Sequence, residues 1–150
     1  MAEYRTTQKL DPQVAAYVAG LIDGEGTVTL CRHHANEHRQ LVVSVVNTEL
    51  PILQYLFDHI GTGEITNKRT ISARHTPSFC YSVSNRQALA LLQQVTPYLR
   101  SYKRQRAQLI LASYEKLTPR NGKYTAAALL SRETFEKQVL SLSSLSLNSI

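Results

Sequence analysis

The sequence predicts an α+β domain, with one mixed or antiparallel sheet backed by helices, and three observations carry that prediction. Helical and strand periodicities follow one another in the order helix, two strands, helix, two strands, helix. Candidate strands pair an apolar face suited to a core with a polar face suited to contacts elsewhere. The 150 residues form one domain by prior, long enough to bury about two thirds of the unfolded chain's surface.

Met1 to Leu10 is polar and expected to be loosely held. Asp11 and Pro12 start the first helix, since an Asp side chain can accept an orphan N–H and proline fits the first helical position. Val14, Tyr17, Val18 and Leu21 then fall at the spacing of one buried face. A second row, Ala16, Gly20 and Gly24, recurs every four residues with almost no side chain, so another helix can approach along it. Gly20 costs about 1 kcal/mol relative to Ala inside a helix, a penalty that close packing would recover. Asp23 and Glu25 lie at the helix exit, where partial negative charge disfavours anions unless a cation is held there. Carboxylates and a free carbonyl are oxygen ligands that suit Mg²⁺.

Thr27 to His34 alternates as a half-buried strand, and Leu41 to Val46 is apolar and β-branched enough to pair with it across the loop Ala35 to Arg39. Thr48 is the expected cap of a second helix reaching Ile60, with Ile52, Leu53, Leu56, Phe57 and Ile60 inward. Gly61-Thr62-Gly63 ends it, and a second strand pair follows at Glu64 to Lys68 and roughly Phe79 to Val83. The basic connection Arg69 to Ser78 has no clear assignment. Asn85 to Thr96 is helical up to Pro97, and Lys103 to Leu117 is an amphipathic helix through Ala107, Ile110, Leu111 and Tyr114. The tail from about residue 119 to 150 is expected to hold one more helix, Arg132 to Leu145.

A net charge of +6 and a pI near 9.5 point to a polyanionic partner, most often nucleic acid. Cys31 and Cys80 are far apart without metal-ligand spacing, and the sequence shows no signal peptide or membrane span. A soluble intracellular protein with free thiols, no membrane partner and no small-molecule substrate is therefore expected.

Val18 to Gly26 reads VAGLIDGEG and resembles the signature of the LAGLIDADG homing endonucleases, site-specific DNA-cutting enzymes encoded within introns or inteins. The likeness covers nine consecutive positions, with the glycines Gly20 and Gly26 and both acids in place, and the element order matches that family's αββαββα arrangement. The resemblance implies a curved β-sheet saddle backed by helices, whose exposed side chains enter the major groove of double-stranded DNA. It also accounts for the small-residue row, because the family packs two such helices together. One copy of the motif implies a homodimer with Ala16, Gly20, Asp23 and Gly24 at the interface.

The same resemblance implies that Glu25 binds Mg²⁺ at the scissile phosphate, with Mn²⁺ or Ca²⁺ able to substitute for binding, although a Glu beside two glycines is otherwise a common solvated turn acid. Many family members carry Asp there. Gly24 contributes its carbonyl or simply ends the helix, and both roles are compatible. Asp23 reads as structural, tying down backbone N–H groups of the partner helix. Asn47 is either a polar residue near the metal and its waters or an Asn in a strand-to-helix turn. Lys103, in YKRQRAQ, matches the segment that holds a basic residue near the attacking water, where it would neutralise charge on the phosphate. It can equally be a solvated helix-start lysine, and Arg104 and Arg106 compete for the role. His33, His34 and His38 lack partnering cysteines for zinc. Thr29, Cys31, His33, Gln40, Ser44, Thr66, Lys68, Arg69 and Arg74 are the positions expected at the DNA groove.

The expected reaction is metal-assisted phosphodiester hydrolysis, each subunit cutting one strand of a long pseudo-palindromic site and leaving short 3′ overhangs. Two alternatives keep the same fold: an intron RNA maturase, and a DNA-binding protein that does not cut.

Overall fold

A computed structural model describes residues 4–69 and 72–148. The elements run α1 (Pro12–Glu25), β1 (Gly26–Cys31), β2 (Gln40–Asn47), α2 (Leu50–Ile60), β3 (Glu64–Lys68), β4 (Ser78–Ser84), α3 (Asn85–Val95), a 3₁₀ turn (Thr96–Tyr98), α4 (Lys103–Ser113), α5 (Ala126–Ser141) and α6 (Ser144–Leu147). The four strands form one sheet in the order β1-β2-β4-β3. Every neighbouring pair is antiparallel, so the α+β arrangement expected from the sequence is present.

One side of the sheet is the core. Val28 and Leu30 of β1, Leu41, Val43 and Val45 of β2, and Tyr81 and Val83 of β4 are buried there with residues of α1 to α5. Because side chains alternate along a strand, the residues between them all fall on the opposite face. That face is half-buried or exposed along its length.

The buried stripe of α1 is Ala15, Val18, Ala19 and Ile22, one residue further along than the spacing predicts. Tyr17 is 46% exposed, because its ring packs edge-on against Tyr55 of α2 outside the core, with centroids 5.1 Å apart. Two alanines in the inward stripe let the helix sit close to the sheet. Asp11 precedes α1 without capping it through its side chain. Glu49, not Thr48, precedes α2. The free N–H at that start is taken by Asn47, whose Oδ1 accepts from Glu49 N at 2.8 Å.

The N-terminal segment departs from the expectation of looseness, of which residues 1–3 lie outside the described residues. Gln8 N donates to Ile60 O at 2.9 Å, Leu10 N to Gln94 Oε1 at 2.6 Å and Thr7 Oγ1 to Gln87 O at 2.8 Å. Leu10 is buried. The tail also differs. Its helix begins at Ala126, where Thr125 accepts from Ala128 N, and breaks after Ser141 into the short α6. What fixes it is Arg132, 1% exposed, which donates to Glu136, to Leu117 O and Thr118, and to Arg39 O. A buried guanidinium is tolerated when its donors are satisfied in this way.

Candidate nucleic-acid interface and catalytic centre

The exit of α1 delivers Glu25 directly into β1. Gly26 makes that junction possible: a Cβ there would lie 2.6 Å from Ile22 Cα and 3.0 Å from Ser44 O, so no larger residue fits between helix and sheet. Glu25 is exposed, and its Oε2 accepts a short hydrogen bond from Asn47 Nδ2 at the end of β2. Because Asn47 Oδ1 is committed to Glu49 N, its amide can only present Nδ2 to the carboxylate. Asn47 is thus the turn residue before α2 and also the neighbour of Glu25.

Lys103 is not a solvated helix-start residue. It is 8% exposed, and its Nζ donates to Ile22 O at 2.8 Å and Asp23 O at 2.9 Å. The ammonium thus closes the carbonyl end of α1, where the helix dipole favours a cation. Burial lowers its pKa, Asp23 opposing that shift and Arg106 adding to it. Of the competing basic residues, Arg106 is engaged elsewhere, reaching Val28 O and Leu142 O.

Asp23 was expected to hold the partner helix. Instead both its oxygens serve its own chain, accepting from Arg100 N at 2.8 Å, Ser101 N at 3.1 Å and Ser101 Oγ at 2.5 Å. Burial alone would raise its pKa, but these bonds and the Lys103 charge outweigh it and hold the carboxyl below its ordinary value. Asp23 and Lys103 together lock the α1 exit to the start of α4. Nothing local in the sequence marks Arg100 and Ser101 as partners, because the contact spans more than seventy residues.

Ala16, Gly20 and Gly24 line up on the outside of α1, all exposed. A Cβ added at Gly20 or Gly24 would meet nothing within 4 Å, so this chain by itself does not require them to be small. Tyr17, Pro51, Ile52 and Tyr55 line a shallow hollow beside them.

On the open face of the sheet, the register aligns residues in rows. Thr27, Ser44, Ser82 and Glu64 form one, and Val46, Cys80 and Thr66 form another. Thr29, Cys31, Gln40, Ser44, Thr66 and Lys68 share this face, as expected. His33 does not lie on a strand, because β1 ends at Cys31; it is exposed in the loop, as are Arg69 and Arg74 in the β3–β4 connection. Of the other loop histidines, His38 packs against Tyr124, ring centroids 4.3 Å apart. The face also presents Thr27, Val42, Val46, Glu64, Cys80, Ser82 and Ser84, as alternation along each strand requires. Burial pushes the thiols of Cys31 and Cys80 above their usual pKa, so they face outward as neutral, weakly polar groups.

No family model matches the chain. No curated protein matches it either. Solved structures do. The homing endonuclease I-CvuI in complex with its target superposes with a TM-score of 0.72 at 19% identity, over 88% of this chain and 83% of that one. The archaeal intron-encoded homing endonuclease I-Vdi141I complexed with DNA gives 0.67 at 17% identity, over 86% and 83%. The chain has the LAGLIDADG homing-endonuclease fold. The LAGLIDADG meganuclease I-AabMI bound to uncleaved DNA gives 0.64 at 19% identity, over 92% of this chain but 47% of that one. This chain therefore spans most of I-CvuI and I-Vdi141I and about half of I-AabMI. Among the described residues, no helix is long and apolar enough to cross a membrane.

Proposed function

We propose that this chain is a site-specific, metal-dependent endonuclease of double-stranded DNA, acting as a homodimer encoded within an intron or intein. The observation that carries the reading is Glu25, an exposed carboxylate at the exit of α1, held by Asn47 where β1 begins and β2 ends beside the open sheet face. DNA lying along that face brings a phosphate to that carboxylate. The DNA complexes of I-CvuI and I-Vdi141I support the same partner.

The donor set fits Mg²⁺, which takes one or two carboxylates and fills its remaining positions with phosphate and water. Glu25 and the carbonyl of the exposed Gly24 would hold it, and I-CvuI complexes with Ca and with Mg are in keeping with a divalent ion. When bound, the ion supplies neutralisation of charge developing on the scissile phosphate. Asn47 orients the Glu25 carboxylate. Lys103 holds the helix end and places a positive charge beneath it, a supporting position in place of direct contact with water. Cleavage leaves short 3′ overhangs at a long pseudo-palindromic site, one strand cut by each subunit.

The homodimer rests on the exposed Ala16, Gly20 and Gly24 row, where a Cβ at either glycine would meet nothing within 4 Å among the described residues. In the dimer the two rows meet, and the two Glu25 residues come close enough to cut opposite strands.

The test uses a site selected from a random duplex library and placed in a plasmid. Wild type should cut it with Mg²⁺ and not with EDTA. Glu25→Gln should bind it with similar affinity and cut at least 10²-fold more slowly. Cutting by Glu25→Gln at the wild-type rate would remove Glu25 from the chemistry. Selective binding by wild type without cutting in Mg²⁺ would make this a DNA-binding protein of the same fold.

A further inference from the structure

At the opposite end of β2 from Asn47, a chain of hydrogen bonds runs from the core to the open face, and its polarity is fixed. Leu41 N donates to Tyr114 Oη at 3.2 Å. A backbone N–H cannot accept, so the phenol oxygen is the acceptor there and its single proton goes to Asn85 Oδ1, 2.8 Å away. Asn85 is thereby left with Nδ2 towards Gln40, whose Oε1 accepts at 3.4 Å. Gln40 Nε2, with two N–H donors, has no partner among the described residues.

The relay is built into the fold. Tyr114 is 3% exposed, and the buried Arg132 guanidinium stacks on its ring at 4.8 Å. Asn85 has φ +53°, in the left-handed region that non-glycine residues seldom occupy and Asn tolerates best. Such a conformation persists where the surroundings determine it, and it is often a sign of function. Asn85 opens α3 directly after β4, and Gln40 opens β2 at the end of the same face.

We propose that Asn85 is a positioning residue that fixes Gln40 as a hydrogen-bond donor towards a base edge in the major groove. The inference rests on the reading of this face as the DNA-binding surface. A side chain presenting donors alone selects the edge richest in acceptors. Guanine offers N7 and O6 and no donor, whereas thymine offers only O4 beside its methyl, adenine adds an N6 donor and cytosine presents only its N4 donor. Gln40 therefore reads guanine at one position of each half-site. Gln normally pairs with adenine, using donor and acceptor together, so the relay alters the preference expected from the residue type.

Asn85→Asp reverses the polarity. Asp still accepts the Tyr114 proton and tolerates the left-handed conformation, but it cannot donate to Gln40. Gln40 then turns Nε2 to the carboxylate and Oε1 outward, which favours the N6 or N4 donors of adenine or cytosine. The experiment is selection of bound sites from a random duplex library in Ca²⁺ by wild type, Gln40→Ala, Asn85→Asp and Tyr114→Phe, each checked for fold by circular dichroism. Gln40→Ala should erase the guanine preference at one position per half-site and so locate it. At that position Asn85→Asp should change the preferred base from guanine to adenine or cytosine by roughly fivefold or more. Tyr114→Phe, which removes the proton that sets the relay, should weaken the guanine preference there and leave other positions alone. An unchanged Asn85→Asp profile, a loss spread evenly over all positions, or no effect of Gln40→Ala would overturn the proposal while leaving the DNA reading intact. Wild type that selects no sequence would sink both.

Discussion

At the scale of single residues, the candidate centre depends on groups whose hydrogen bonds leave them one orientation. Asn47 bonds Glu49 N through Oδ1 and Glu25 through Nδ2, so it sets which way the carboxylate faces. Asn47→Leu should lower the cleavage rate by about 10- to 100-fold, the usual effect of losing a group that orients a metal ligand. Binding should change little, and single-turnover rates against binding affinity separate the two. Tyr81 makes a different prediction, about stability. Its buried hydroxyl donates to Thr62 O at 2.7 Å, and burial raises its pKa above the ordinary 10.0. The folded state thus keeps the proton where the unfolded state releases it, so this contribution is whole below the ordinary value and declines as pH rises past it. Tyr81→Phe should flatten that alkaline decline and cost about 1–3 kcal/mol at neutral pH, because Thr62 O loses its partner. Denaturant midpoints across the alkaline range measure both.

At the scale of elements, the glycines of α1 and of its exit into β1 divide by what surrounds them. Gly26 has backbone 2.6 Å from where a Cβ would stand, and Gly20 has nothing within 4 Å. Gly26→Ala should therefore destabilise the chain by about 1–3 kcal/mol and displace Glu25. Gly20→Ala should leave the isolated chain as stable or up to about 1 kcal/mol more stable, while weakening self-association. Thermal melts and sedimentation of the two variants check this, and a Gly20→Ala protein that loses stability without losing association would contradict it. The sequence makes both glycines look alike, and only the fold shows which one faces the protein's own backbone. The same limit governs the rest of the reading. Strand identities and the α2 core positions Leu53, Leu56 and Ile60 were legible because period-2 and period-3.6 patterns are local, whereas Ile52 lies at the surface hollow beside Tyr17. The buried face of α1 came out one residue off, because two alanines and a valine leave its hydrophobic stripe weakly marked and Tyr17 finds Tyr55 outside the core. Lys103 and Asp23 bond groups that lie across the fold, which no local pattern of the sequence marks. The start of α5 was missed because its first turns, Ala126 to Leu130, are largely exposed and carry no buried periodicity.

At the scale of the whole molecule, charge and copy number act together. Each chain carries a net charge of +6, and the residues proposed to face DNA combine a largely uncharged sheet face with Lys68, Arg69 and Arg74 at one rim. Affinity should therefore come mostly from phosphates along the rims and preference from the centre of the sheet. Each neutralised phosphate contributes a slope of about −0.9 in log affinity against log salt. A dimer spanning both half-sites makes twice the contacts of one chain on one half-site. If the pair neutralises six to ten phosphates, affinity should fall by about 10³ to 10⁵ between 50 and 200 mM salt. A duplex carrying a single half-site should show about half that slope. Anisotropy titrations of full and half sites over a salt series decide the matter. Equal slopes on the two duplexes would mean that one chain makes all the contacts, and the homodimer would be wrong even if DNA is the partner.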